Sequence, residues 1–348
     1  MSFARLVPED FLVSTNAISA PLWTSGSTNL TSYFTSSVQA NGSSGNYYLN
    51  VFDSAATSSV QFAIAYGNSF GSGSQVYNTV VNGLSPTSTV WGQWQDLTIG
   101  NTSTNFVFGP VSSSEFFALS MERQCYKEAL FLGSLALTIK GPIAASGSIT
   151  LTDNSNYVSN VTYGPAGRVF QLISGSQGVR YTGSATTADG YSLNSGSYGW
   201  LLPDIGTIIL NPLALSAPTA SGGIGFVYSG SAYSGSLTYN ANTNANAQLF
   251  RAISGSSNFY LNSQESITSD YVFVRPRSSQ FNYSENPSFI SGSTGEVLYS
   301  NFINNPQVYI TTIGLYNDAN QLLAVAKLSR PLLKDFTKEA LVRVKLDF

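Results

Sequence analysis

The stretch that decides the fold is residues 308–348, VYITTIGLYNDANQLLAVAKLSRPLLKDFTKEALVRVKLDF. Its first nine residues are dominated by β-branched and aromatic side chains and carry no charge. Residues 317–320 then form a cluster of turn formers, because Asn and Asp bond their own backbone and tolerate left-handed conformations. Residues 321–327 are a second apolar run, so the segment predicts a β-hairpin with a short loop. Residues 329–337 predict a loop, since Pro331 cannot donate a ladder hydrogen bond.

The last residues alternate strictly between apolar and polar side chains, which is the period of a half-buried strand. One face consists of Val342, Val344, Leu346 and Phe348, and the other of Leu341, Arg343, Lys345 and Asp347. We expect this strand to cover the edge of the hairpin and to hold the end of the chain in a sheet, because termini normally fray unless they are docked.

The composition indicates short, turn-rich β-structure. Charged residues make up only 9% of the 348 residues, well below the roughly 25% of a typical soluble domain. Ser, Asn, Thr and Gly take their place, and 20 Tyr and 21 Phe supply strand-forming aromatics. Low charge with many tyrosines is also typical of the core of a protein–protein interface. A low-charge extracellular β-domain remains the alternative interpretation.

Charge and cysteine content exclude several classes of protein. The formal net charge of −3 gives no overall basic field for nucleic acid. One cysteine, Cys125, rules out an intrachain disulfide and fits assembly in a reducing cytoplasm. The N-terminus, with Pro8, Glu9 and Asp10, does not read as a secretory signal. No run reaches the roughly 18 apolar residues of a membrane span, so we expect neither nucleic-acid nor membrane partners.

The pattern predicts a mainly β fold of two or more antiparallel sandwich- or barrel-like domains with one or two short helices. We expect an N-terminal β domain with an irregular arm at 1–132, a central β domain at 133–264, and the hairpin and terminal strand at 265–348, packing with the N-terminal domain. Helices are predicted at residues 122–130 and 246–253, the first from its run of good helix formers. Further strands are predicted at residues 47–52, 60–66, 105–108, 115–121, 135–139, 149–152, 168–173 and 271–275, and further short apolar runs at 207–210, 224–228, 236–239 and 259–261.

Blocks of the chain resemble, in order, virion structural proteins of T4-like contractile-tailed bacteriophages, above all those of marine bacteria. The blocks are YYLNVFD (47–53), VQFAIAYGN (60–68), MERQCYKEAL (121–130), LTDNS (151–155), GRVFQLISGSQG (167–178), PDIGTIILNP (203–212) and IGLYNDANQLLAVAKL (313–328). The resemblance extends over most of residues 47–348 and does not cover the first 40. It implies a component of the tail apparatus, located in the virion and assembled in the host cytoplasm, and it supplies no catalytic or ligand residues.

The sequence contains no pattern that indicates catalysis. It has no histidine, which removes a Ser-His-Asp triad, a Cys-His pair and every His-based metal site. It also has no phosphate-binding glycine motif. Asp153, Asn154, Ser155 and Asn156 offer oxygen ligands, but they lack the spaced carboxylates of a calcium loop and predict a turn instead. We therefore expect no enzyme, no cofactor and no metal.

The leading prediction is a structural subunit of the tail baseplate that acts through contacts with other virion proteins and with copies of itself. A neck, collar or capsid-decorating protein is the alternative within the same class. A receptor- or glycan-binding fibre module, which would touch a host-surface glycan, is the alternative from another class. The candidate interface residues are Trp91, Trp94, Arg343 and Lys345. For the two tryptophans a place in the core is the favoured reading, because Trp carries a large apolar area.

Overall fold

The computed structural model describes residues 3–35, 48–53, 58–71, 87–100, 104–141, 147–226, 242–256, 258–284 and 286–347. The protein is mainly β, with 44% strand and 16% helix, and its antiparallel sheets include a curled half-barrel. The predicted fold class is therefore confirmed. Phe348, which completes the predicted apolar face of the last strand, lies outside the described residues.

The strands are β1 (Phe11–Pro21), β2 (Asn29–Leu30), β3 (Tyr48–Phe52), β4 (Val60–Asn68), β5 (Phe106–Phe108), β6 (Val111–Ser113), β7 (Glu115–Met121), β8 (Ala129–Leu130), β9 (Ala136–Lys140), β10 (Ser148–Asp153), β11 (Thr162–Gly164), β12 (Gly167–Ser176), β13 (Val179–Arg180), β14 (Gly199–Leu202), β15 (Thr207–Leu210), β16 (Phe259–Tyr260), β17 (Asn262–Val274), β18 (Val308–Tyr316), β19 (Leu322–Lys334) and β20 (Val342–Asp347). The α-helices of the described ranges are α1 (Thr87–Ile99), α2 (Pro212–Ser216), α3 (Asn242–Ser254) and α4 (Ser300–Asn304). The predicted strands coincide with strands in this set, as do the short runs at 207–210 and 259–261. Residues 224–226 form no strand, and residues 227–228 and 236–239 lie outside the described residues. Helix α3 confirms the second predicted helix.

The chain divides into two compact units, residues 18–265 and residues 1–17 with 266–348. The larger unit is built on a twelve-stranded sheet whose main path is β2-β16-β9-β10-β12-β14-β15-β7-β4-β3, with β11 and β13 attached to β12. Strands from both sides of the expected domain boundary at 132/133 pair in this sheet, so that boundary falls inside the unit.

The centre of the large sheet is buried on both faces. In β7, Phe117 and Leu119 belong to one hydrophobic cluster, whereas Phe116 and Ala118 belong to a second. Helix α3 contributes Leu249 to the first cluster, and α1 contributes Val90 and Trp91 to the second. Because both faces of β7 are covered, its sequence reads as a continuous apolar run and not as an alternation.

The predicted helix at 122–130 is wrong. Only Arg123–Cys125 form a short 3₁₀ turn, and the chain then continues into β8. The reason is tertiary pairing: the backbone N–H of Glu128 donates to Gln264 O at 3.2 Å, and that of Phe131 donates to Asn262 O at 2.8 Å. These bonds to β17 replace those that a helix would make, and they outweigh a helix propensity of a few tenths of a kcal/mol per residue.

Helix α1 and strand β1 are elements that the sequence did not predict. Helix α1 occupies a segment rich in aromatic and β-branched residues, and it ends at Gly100, whose φ of +71° matches the left-handed position that closes a helix. Strand β1 lies in the stretch that was expected to be an irregular arm.

The smaller unit contains the C-terminal elements. Strand β17 lies between β1 and β20, and β20 runs antiparallel to it in the register Val344 opposite Val272. The expectation that the terminal strand covers the hairpin is therefore wrong: its partner is β17. Val344 and Val272 are both buried, which confirms the predicted alternation.

The hairpin is confirmed, as β18 paired with β19, but the predicted loop at 329–337 is wrong. Strand β19 continues to Lys334, and Ile310 pairs with Leu332 while Thr312 pairs with Lys327. Residues 328–331 therefore stand opposite the single residue Thr311. This bulge accommodates Pro331 within a strand, because a bulged residue needs no ladder hydrogen bond.

Candidate assembly surfaces

The hairpin β18–β19 is a largely exposed element of the smaller unit. It forms a two-stranded sheet of its own, and Lys334 is its only buried residue. Half-buried and exposed positions alternate along much of both strands, so the hairpin is partly covered on one side and exposed on the other. An isolated two-stranded sheet is marginally stable in water.

Large apolar side chains project from this hairpin into solvent. Their exposed fractions are 64% for Tyr309, 41% for Tyr316, 52% for Leu322, 68% for Leu323 and 57% for Val325. Four of these residues, Tyr316, Leu322, Leu323 and Val325, lie next to the turn, and Tyr309 lies near the base of the hairpin. Clustered exposed apolar side chains on a soluble protein mark interaction sites. We call these five residues the hairpin surface.

Both ends of the hairpin are fixed by polar contacts. At the turn, the side-chain oxygen of Asn317 accepts hydrogen bonds from the backbone N–H of Ala319 at 3.1 Å and of Gln321 at 2.8 Å. Asn320 follows with a φ of +59°, a conformation that Asn tolerates better than most residues. The loop therefore spans residues 317–321, close to the four residues that the sequence predicted.

At the base, the ammonium group of Lys334 is completely buried. Its Nζ donates to the backbone oxygens of Ser278 at 2.8 Å and Asp335 at 3.0 Å, and to the side-chain oxygen of Asn282 at 2.9 Å. An ammonium group has three donors, so all of them are satisfied. Lys334 thereby ties the hairpin to the segment that follows β17.

The two candidate basic residues, Arg343 and Lys345, lie on the exposed face of β20. The guanidinium of Arg343 lies 5.3 Å from the ring centroid of Tyr271, and Lys345 Nζ is 2.9 Å from a carboxylate oxygen of Asp347. Asp347 also accepts a 2.6 Å hydrogen bond from Ser269. The hydrogen bonds from Ser269 and then from Lys345 lower the pKa of Asp347, and the bond to Asp347 raises the pKa of Lys345. Both basic groups thus have partners within their own sheet.

The two candidate tryptophans lie in the larger unit, on α1. Trp91 is only 5% exposed, and its ring centroid is 4.9 Å from that of Phe106 and 5.6 Å from that of Phe116. Trp94 is half-buried at the edge of the same cluster, 6.4 Å from Phe116. The structure therefore places the two tryptophans together on α1 in the larger unit, and the two basic residues together on the exposed face of β20 in the smaller unit.

A second exposed apolar strip was missed by the sequence reasoning. It lies on β1, an edge strand of the four-stranded sheet that contains β17, where Phe11, Leu12 and Val13 are 50%, 55% and 64% exposed. The signal available in the sequence was the uninterrupted apolar run directly after Glu9 and Asp10. An exposed apolar edge strand is a template for pairing with another chain.

In the turn at residues 153–156, the side-chain oxygens of Asp153 and Asn154 accept hydrogen bonds from backbone N–H groups. The buried carboxylate of Asp153 accepts hydrogen bonds from the backbone N–H of Gly133, at 3.0 and 3.2 Å, and from that of Ser155, at 3.1 Å. The side-chain oxygen of Asn154 accepts from Gln171 N at 3.0 Å. These bonds hold the turn against its neighbours, which is the role that the sequence predicted.

Three findings describe the reactive and apolar groups of the described residues. Burial raises the pKa of the Cys125 thiol to about 11, with a smaller contribution from Glu122, so the thiolate is disfavoured at neutral pH. Within the described ranges, no three Cys, Asp or Glu residues cluster as metal ligands would. None of the described helices has the length and apolarity needed to cross a bilayer.

No protein family, curated protein or solved structure shows a match to this chain.

Proposed function

We propose that this protein is a structural subunit of the virion of a contractile-tailed bacteriophage, placed in the tail baseplate and acting through protein–protein contacts. The observation that carries the proposal is the hairpin surface: five large, exposed apolar side chains on a two-stranded sheet in which Lys334 is the one buried strand residue. The blocks that resemble phage structural proteins supply the virion context. The low charge of the chain adds support, because charged residues are depleted in interface cores.

The hairpin surface has enough apolar area to hold a partner. Covering a side chain such as Leu323 or Val325 contributes roughly 1.5–3 kcal/mol when it is fully buried. Several such residues together would balance the cost of association, which is of the order of 4–15 kcal/mol. A partner that covers the hairpin would also supply the packing that a two-stranded sheet needs for stability.

The location is tested by labelling intact virions of a phage that encodes this chain with an antibody raised against the purified protein. We expect gold particles at the distal end of the tail. Label at the head–tail junction would favour a neck or collar protein, and label over the head would favour a capsid-decorating protein. Absence of the chain from purified particles would contradict the proposal as a whole.

The role of the hairpin surface is tested with Val325→Asp and a matched control, Val179→Asp. Both valines are 57% exposed and both lie on strands. We expect both purified variants to remain folded, since neither side chain is in a core. Only Val325→Asp should fail to enter virions, because it introduces a charge into the contact. Equal incorporation of the two variants would show that the hairpin surface is not the assembly contact.

A further inference from the structure

We propose that a pocket in the segment between β17 and β18 binds a neutral saccharide. The pocket is a shallow depression that is wide open to solvent, with a volume of about 450 Å³. Three aromatic rings and three side-chain amides line it: Phe289, Tyr299 and Phe302 with Asn301, Asn305 and Gln307. This site is separate from the hairpin surface, and the inference does not rest on the assembly role.

The aromatic rings provide a platform for the apolar face of a sugar. Phe289 meets Tyr299 edge-on, with centroids 5.6 Å apart and an interplanar angle of 67°, and it meets Phe302 at 5.7 Å and 60°. Tyr299 nevertheless keeps 54% of its surface exposed, and Phe289 keeps 37%. The face of an aromatic ring is electron-rich and attracts the C–H groups that a pyranose presents on one side.

The amides provide the polar half of the site. Asn301, Asn305 and Gln307 are exposed, and the described structure records no hydrogen bond from any of their side chains. Each amide offers two donors and one acceptor with two lone pairs. Sugar hydroxyl groups are both donors and acceptors, so amides match them better than a group that only donates or only accepts.

The absence of charge among the lining residues narrows the ligand class. Every described residue around the pocket is aromatic, amide or hydroxyl in character. A site for phosphate or for an acidic sugar would normally carry an Arg or Lys, because charge-assisted hydrogen bonds are roughly twice as strong as neutral ones. The chemistry therefore selects a neutral hexose or N-acetylhexosamine.

The backbone holds this arrangement in place without a ligand. Leu298 N donates to Phe289 O at 2.9 Å, and Phe289 N donates to Asn286 O at 2.8 Å. The turn between the two ring-bearing segments contains Gly295, whose φ of +72° suits glycine. Phe302 N then donates to Tyr299 O at 3.1 Å, and this bond fixes the backbone that carries the Tyr299 and Phe302 rings. Such preorganisation reduces the entropy lost on binding.

The test is saturation-transfer NMR on the full chain with the methyl glycosides of glucose, galactose, mannose and N-acetylglucosamine at millimolar concentration. We expect at least one of them to bind. Tyr299→Ala should weaken binding about tenfold or more, which corresponds to one good ring contact. Tyr283→Ala is the matched control, because this tyrosine is 52% exposed and in the same unit but lies outside both the pocket and the hairpin surface.

Each outcome supports or overturns the proposal. No binding by any of the four glycosides, or equal loss in the Tyr299 and Tyr283 variants, would overturn it. The methyl glycoside of N-acetylneuraminic acid is measured in the same way, and its preferential binding would overturn the assignment to neutral sugars. Melting temperatures establish that the variants are folded, and Gln307→Ala gives a second measurement if the Tyr299 variant is not. Incorporation into virions is measured separately, so a failure here is distinct from a failure of the assembly role.

Discussion

Removing the terminal strand is the perturbation that probes the smaller unit most directly. Ending the chain after Glu339 deletes β20, whose six residues pair with residues 269–274 of β17. The deletion removes Val344, which is 5% exposed, and uncovers Val272, which is 2% exposed and stands opposite it. It also leaves one edge of β17 without its ladder partner.

The expected cost follows from burial. Val344 is almost fully buried and contributes about 2 kcal/mol, and the half-buried Val342 and Leu346 contribute about 1 kcal/mol each. The sum of about 4 kcal/mol is comparable with the whole stability of a small domain, roughly 5–15 kcal/mol. The newly open edge of β17 then favours aggregation. We therefore expect the truncated chain to be insoluble, or to lose the fold of residues 266–339.

The assay compares the truncated chain with the full chain and with the double variant Arg343→Glu/Lys345→Glu. Limited proteolysis of any soluble truncated protein should leave a resistant fragment close to residues 18–265, because that unit has its own core. The double variant should stay soluble and resist proteolysis, since both side chains lie on the exposed face. A truncated chain that stays soluble, with residues 266–339 still protected, would refute the reasoning.

Three further predictions concern the larger unit. Trp91→Ala should lower the free energy of unfolding by about 3–5 kcal/mol. Trp94→Ala should lower it by clearly less, because the Trp94 side chain is only half-buried. Equal losses of the two variants in denaturant titrations would contradict this difference. The Cys125 thiol should react slowly with a disulfide reagent at pH 8 in the native protein, because burial raises its pKa to about 11. In denaturant it should react at once. Fast labelling of the native protein would show that the thiol is accessible. Asp204→Asn should lower the melting temperature near pH 6 but not near pH 2. Burial alone would raise the pKa of Asp204, yet its bonds to Arg168, 2.6 Å for the shortest, hold it below the ordinary 3.8. Its contribution is therefore present above pH 3.8 and disappears as the pH falls through the lowered pKa; a difference between wild type and variant that persists at low pH would exclude this account.

The C-terminal strands could be predicted from the sequence because their signals are local. The turn at Asn317 is fixed by bonds of that side chain to its immediate neighbours, and the alternation of β20 depends only on one face being buried. Neither needs information about distant parts of the chain. The partner of β20 was predicted wrongly, because β17 is distant from β20 in sequence and no local pattern identifies it as the partner.

The errors arose where distant contacts decide the outcome. The segment 122–130 has helix formers but pairs with β17, and the segment that forms α1 has strand formers but folds over β7. In α1, the spacing of Val90, Trp91, Trp94 and Thr98 fits the 3.6-residue period of a helix. That signal, with Gly100 as a stop, could have identified the helix.

The candidate sites were only partly accessible from the sequence. Arg343 and Lys345 were placed correctly on the exposed face, because alternation determines the face of each residue in a strand. Exposure of the hairpin surface could not be predicted, because an apolar run has the same sequence pattern whether or not another part of the protein covers it. The pocket depends on bonds across the turn between Phe289 and Leu298, and its residues follow no periodic pattern.

The division of the chain has a consequence for the order of folding during synthesis. The smaller unit is discontinuous: residues 1–17 belong with residues 266–348, and the whole larger unit is encoded between them. A ribosome therefore releases β1 long before its partner β17 exists, while residues 18–265 can form their own core on the way. Completing the larger unit first replaces a long flexible loop with a compact body, which reduces the entropy of closing the β1–β17 pair. The apolar β1 segment therefore stays without its partner strand until β17 has been synthesised. We expect a chaperone to be needed at this segment of the nascent chain.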